Sequence, residues 1–176
     1  MKKIVLTFGL ISGAIISAMF MITTPLYKNG TLSMDNGEVI GYSTMVISLS
    51  MIFFGIKSYR DQHLHGVVTF GKGFQIGLLI AVVASLFYAV AWEFYFNLYI
   101  PDFMDQYATL CIAKAKSSGA GPVEIQKVMD RINQTKEIYK NPFLRFGFTL
   151  MEIFPVGLVI ALISAAILRK KEVLPA

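Results

Sequence analysis

The sequence predicts an all-α integral membrane protein: four transmembrane helices, with an extracytoplasmic helical hairpin between helices 3 and 4. Three observations carry that prediction. From Phe74 to Ile100 the only formally charged residue is Glu93, and such a run exceeds the roughly 20 apolar residues that cross a bilayer core. Of the 176 residues, 55% are hydrophobic and 15% charged, too apolar for an ordinary soluble domain. The short basic clusters all fall on one side of a four-helix arrangement. Residues 1–176 therefore read as a single membrane domain, with spans at about 4–23, 39–57, 74–100 and 143–168 and an insertion at about 101–141.

Composition also excludes function classes. The net charge of +5 fits the cytoplasmic bias of lysine and arginine in membrane proteins, so no nucleic-acid partner is expected. The single cysteine, Cys111, rules out an intramolecular disulfide, and two histidines are too few for a cysteine- and histidine-rich zinc site. No metal site and no cofactor are predicted. The expected surroundings are a lipid bilayer.

The first apolar run, Ile4 to Ile22 after Lys2 and Lys3, is longer than the roughly 7 to 15 residues of a signal-peptide core and reads as a retained helix. Gly9, Gly13 and Ser17 recur at every fourth position, which lets a neighbouring backbone approach closely. Pro25, Asn29-Gly30 and Asn36-Gly37 mark Thr24 to Glu38 as a turn-rich connection. Val39 to Ile56 makes the second span. Lys57 to Lys72 is a second, basic connection, with Asp61 alone opposing Lys57, Arg60 and Lys72. Such loops stay in the cytoplasm, which places both termini inside. His63 and His65 lie there as solvated loop residues.

In the third span Gly73, Gly77, Ala81, Ser85, Ala89 and Glu93 fall at every fourth position; the row drifts about 40° per step and is no single face, but any three in a row can form a close-packing seam. Tyr88, Trp92, Tyr95 and Tyr99 form an aromatic stripe toward the outer interface. After Pro101-Asp102, apolar residues at helical spacing (Phe103, Tyr107, Leu110, Cys111, then Ile125, Val128, Met129, Ile132) predict two helices broken at Gly119, Gly121 and Pro122. The insertion balances six basic against five acidic residues, so the short loops set the topology. Asn29-Gly30-Thr31 and Asn133-Gln134-Thr135 match a glycosylation triplet that arises often by chance. The fourth span, Phe143 to Leu168, carries Arg145, Glu152 and a kinking Pro155, with Gly157, Ala161 and Ala165 as a further small-residue row, and ends in Arg169-Lys170-Lys171.

Ionised groups at membrane depth cost about 2.5 to 3.5 kcal/mol on insertion scales, so Glu93, Arg145 and Glu152 require a reason. They form the candidate intramembrane polar cluster. Arg145, Thr149 and Glu152 are spaced by four and then three, on one helix face. At 1.5 Å per residue, Glu152 lies about 5 Å outward of its helix midpoint, Glu93 about 10 Å and Arg145 about 16 Å. One arginine could then partner one carboxylate and leave the other to stay neutral or bind a ligand. Interfacial snorkelling of Glu93 and Arg145 is the competing structural reading. No HExxH, GxSxG, kinase or Walker pattern occurs, and no catalytic residue is expected.

GIKSYRD (Gly55–Asp61), VTFGKGFQIG (Val68–Gly77), AWEFYF followed by Pro101-Asp102-Phe103, Phe154-Pro155-Val156-Gly157-Leu158 and the closing Leu168-Arg169-Lys170-Lys171 resemble the bacterial four-helix membrane proteins of the domain-of-unknown-function 4199 family. The resemblance implies a bacterial inner-membrane location and brings no catalytic residues. The expectation is a non-enzymatic structural or accessory protein whose hairpin meets a membrane-protein partner or a second copy. The alternative is a small transporter or ion- or proton-coupled permeation protein using the intramembrane carboxylates.

Overall fold

A computed structural model of the chain describes residues 1–29, 32 and 37–170. The described residues form α1 (Lys2–Lys28), α2 (Gly37–Leu49), α3 (Met51–His63), α4 (Phe70–Tyr99), α5 (Phe103–Ser117), α6 (Pro122–Lys140) and α7 (Pro142–Leu168). Among the described residues, four segments are long and apolar enough to cross a membrane: Lys2–Tyr27, Val39–His63, Phe70–Tyr99 and Pro142–Leu168. The protein is an all-α integral membrane protein.

Three boundaries differ from the sequence reading. Pro25 stands inside α1 instead of ending it. A single proline removes one helix hydrogen bond, here the one to the Met21 carbonyl, a loss that a membrane helix tolerates; Thr24 and Thr23 donate one residue earlier, to the Phe20 carbonyl, at 2.7 and 3.3 Å. The second span continues past Lys57 to His63, so His63 is helical and stacks on Tyr59 at 4.9 Å. The basic connection shrinks to Leu64–Thr69, where His65 (φ 50°) and Gly66 (φ 83°) turn the chain through left-handed conformations. Gly30 and Thr31 of the Asn29-Gly30-Thr31 triplet, residues 33–36 of the turn and Lys171 lie outside the described residues.

The chain divides into two units, 1–90 with 150–176 and 91–149. The core of the first is built from Leu49, Ile52, Ile56, Ile76, Ile80, Ala81, Ile153 and Ala161. Its outward side chains are equally apolar: Ile47 and Ile167 are each 67% exposed, as expected where lipid, not water, is the solvent.

Two rows of small residues mesh in this unit. A Cβ built on Gly73 would lie 3.4 Å from the Ala165 Cβ, one on Gly77 3.0 Å from that of Ala161, and one on Gly157 2.9 Å from that of Ala81. The partners run 73, 77, 81 against 165, 161, 157, which is an antiparallel zipper of α4 on α7. On α1, a Cβ at Gly9 would come within 2.6 Å of Val83, and one at Gly13 within 3.0 Å of the Ala84 carbonyl oxygen. With little hydrophobic driving force between helices in lipid, such backbone proximity supplies dispersion contact instead. Pro155 sits within α7, which is helical without interruption from Pro142 to Leu168.

In the second unit α5 and α6 pack on one another. Gly119 (φ 80°) leads out of α5, and Pro122 opens α6, where the Glu124 carboxylate accepts from the Gly121 N–H at 3.2 Å. Lys136 Nζ meets Asp105 Oδ1 at 2.6 Å across the pair.

Candidate functional site

The second unit closes around Arg145. Asn141 ends α6, and its Oδ1 accepts from the N–H groups of Phe143 and Leu144 at 2.9 and 3.4 Å, so it also caps α7 ahead of Pro142. This places Arg145 in the first turn of α7, where the helix dipole disfavours a cation. Other groups must therefore hold it.

They do so at four points. Nε donates to Glu93 Oε1 at 2.8 Å and Nη2 to Glu93 Oε2 at 2.5 Å, a two-pronged pairing of guanidinium and carboxylate. Nη1 donates to the Tyr139 carbonyl at 2.9 Å, one of the α6 carbonyls that lack an intrahelical partner. The cation thus caps α6 at the end where positive charge is favoured. Nη2 also reaches Asn97 Oδ1 at 3.4 Å, while the Asn97 amide is oriented by donating to the Glu93 carbonyl at 2.7 Å.

Aromatic rings cover the guanidinium side of the pair. The Arg145 Cζ lies 4.0 Å from the centroid of Phe96, within cation–π range. Phe96 in turn meets Tyr139 at 5.6 Å, and Phe103 packs edge-on to Trp92 at 5.3 Å and stacks with Tyr139 at 6.2 Å. Arg145 is only 3% exposed. Both Glu93 oxygens are engaged, and the arrangement works as a pin joining α4, α6 and α7 inside this unit.

A family model described as a protein of unknown function, DUF4199, matches residues 7–170. The chain belongs to the DUF4199 family. No curated protein and no solved structure matches it. In this DUF4199 protein the matched segment includes every residue of the pin, together with Glu152.

The three members of the expected polar cluster have different fates. Glu93 and Arg145 meet as described. Glu152 belongs to the other unit, is exposed, and has neither hydrogen-bond nor ion-pair partner among the described residues of the DUF4199 chain. Thr149, on the same expected face, is buried and returns its hydroxyl to the Arg145 carbonyl at 3.0 Å. That face is covered at Arg145 and Thr149 and uncovered at Glu152. Sequence reasoning missed Asn97, Phe96 and the Tyr139 carbonyl. The first two had a signal, since positions 93, 96 and 97 share one helix face; the carbonyl had none, because a helix end is found only once its boundary is known.

Proposed function

We propose that this chain is a non-enzymatic accessory protein of a bacterial inner membrane, with the α5–α6 pair serving as an extracytoplasmic docking element for a membrane-protein partner or a second copy. The observation that supports this most is the engagement of four of the five Arg145 N–H donors by Glu93, Asn97 and Tyr139. A charged pair whose groups are already engaged positions helices and leaves little capacity for a ligand. On α6, Val123 and Met129 are 70% and 40% exposed. By the positive-inside rule, Lys2 and Lys3, the Lys57 to Lys72 segment and Arg169-Lys170 face the cytoplasm, which puts α5 and α6 on the opposite side. Crosslinking in intact membranes from cysteines at 123 and 129, followed by native mass spectrometry in mild detergent, tests this reading. A discrete complex linked through α6 supports it; a strictly monomeric chain with no crosslinked neighbour ends it.

A second reading rests on Glu152, an exposed carboxylate without a partner among the described residues, inside the apolar span Pro142–Leu168. Such groups mark ion or proton paths in transporters. Ion flux into liposomes carrying the purified chain, abolished by Glu152→Gln, would support this reading over the first.

A further inference from the structure

We propose that an open groove of about 480 Å³ between α1 and α3 binds an anionic phospholipid. The groove is chemically graded along its length. Phe8, Met51 and Phe54 line one part of it and Lys57, Ser58, Asp61 and Gln62 the other. Positions 51, 54, 58 and 61 follow one face of α3, and Met51 to Gln62 spans about 16 Å at 1.5 Å per residue. That length is close to one leaflet, half of the roughly 30 Å hydrocarbon core. Gly55 seats α1 here, since its built Cβ would lie 3.2 Å from Phe8.

Charge decides which lipid fits. The Asp61 carboxylate is held by Arg60 Nε at 2.7 Å, which leaves it poorly placed to receive the ammonium of a zwitterionic headgroup. Lys57 is exposed and makes no hydrogen bond or close ion pair among the described residues, and the Asp61 carboxylate one turn on attracts it through space. Lys2 and Lys3 open the neighbouring helix. An exposed ammonium beside an apolar trough recognises a molecule with an anion at one end and an alkyl chain at the other. The acyl chain lies along Phe8, Met51 and Phe54, and the phosphate meets Lys57. This assignment is independent of the accessory role and of which leaflet the groove faces.

The test uses the full chain in mild detergent, titrated with phosphatidylglycerol or phosphatidylcholine of identical acyl chains and read by native mass spectrometry. Wild type retains phosphatidylglycerol preferentially. Lys57→Gln lowers that retention about fivefold, the factor one lysine contributes at an anionic surface, and leaves phosphatidylcholine unchanged. Lys57→Arg keeps the preference, Lys170→Gln keeps it as well, and Phe54→Ser weakens retention of both lipids. Equal retention of the two lipids by wild type, an intact preference in Lys57→Gln, or a loss of the same size in Lys170→Gln would overturn the proposal. So would full phosphatidylglycerol retention in Phe54→Ser, which would mark a surface that reads only the headgroup.

Discussion

Glu93 and Arg145 pair at two points across 52 residues of sequence, with Nε–Oε1 and Nη2–Oε2 distances of 2.8 and 2.5 Å. Their side chains are 19% and 4% exposed, so the energetics of a desolvated pair apply. Attraction in a low dielectric then offsets the cost of removing both charges from solvent, and little net stability remains. What the pair supplies is intolerance of losing one member.

Glu93→Ala should therefore destabilise the protein by about 3–5 kcal/mol, because the guanidinium stays buried without its counter-charge. The double variant Glu93→Leu with Arg145→Met should recover most of that loss. Reversible unfolding in mixed micelles, followed by circular dichroism as a double-mutant cycle, measures both. Additive losses would show that the two residues act separately.

The Asp105–Lys136 pair supplies the contrast. Its side chains are 76% and 32% exposed, and Asp105→Asn should cost less than about 1 kcal/mol, diminishing further in salt. The same unfolding measurement at two ionic strengths checks it.

Gly157→Val should drive α7 away from α4, since even the first added carbon would meet the Ala81 Cβ at 2.9 Å. The expected loss is about 1–3 kcal/mol. Gly71→Ala is the control: nothing lies within 4 Å of its built Cβ, and the substitution should be neutral or stabilising by up to about 1 kcal/mol.

Glu152→Leu should favour insertion of α7 by about 2.5–3.5 kcal/mol, measurable with a glycosylation-reporter fusion. It should leave the protease resistance of α5 and α6 unchanged, since Glu152 makes no hydrogen bond or ion pair among the described residues. An E152L chain whose α5–α6 pair becomes sensitive would give this carboxylate a structural partner.

The spans were legible because they rest on local composition: an apolar run needs no knowledge of what it touches. The small-residue rows on α4 and α7 were legible as rows, yet their pairing as 73 with 165 and 77 with 161 was not, because spacing within a helix says nothing of register between helices. Pro25 misled because a rule learned in water overstates the breaking power of proline in lipid. Arg145 and Glu93 stood out by their charge. Asn97 and the Tyr139 carbonyl did not, since an amide near a helix end and an unpaired carbonyl are unremarkable until three-dimensional proximity gives them a shared cation.

The distance along the chain between Glu93 and Arg145 also sets a schedule for biogenesis. Elongation at about 5–20 residues per second separates their synthesis by roughly 3–10 s, during which the acid on α4 awaits its cation. A nascent chain that stops before α7 emerges carries an orphan acid in an oily segment. Such a product would slip back toward water or be held by the insertion machinery, so the emergence of Arg145 with α7 becomes the step that commits α4 to the bilayer.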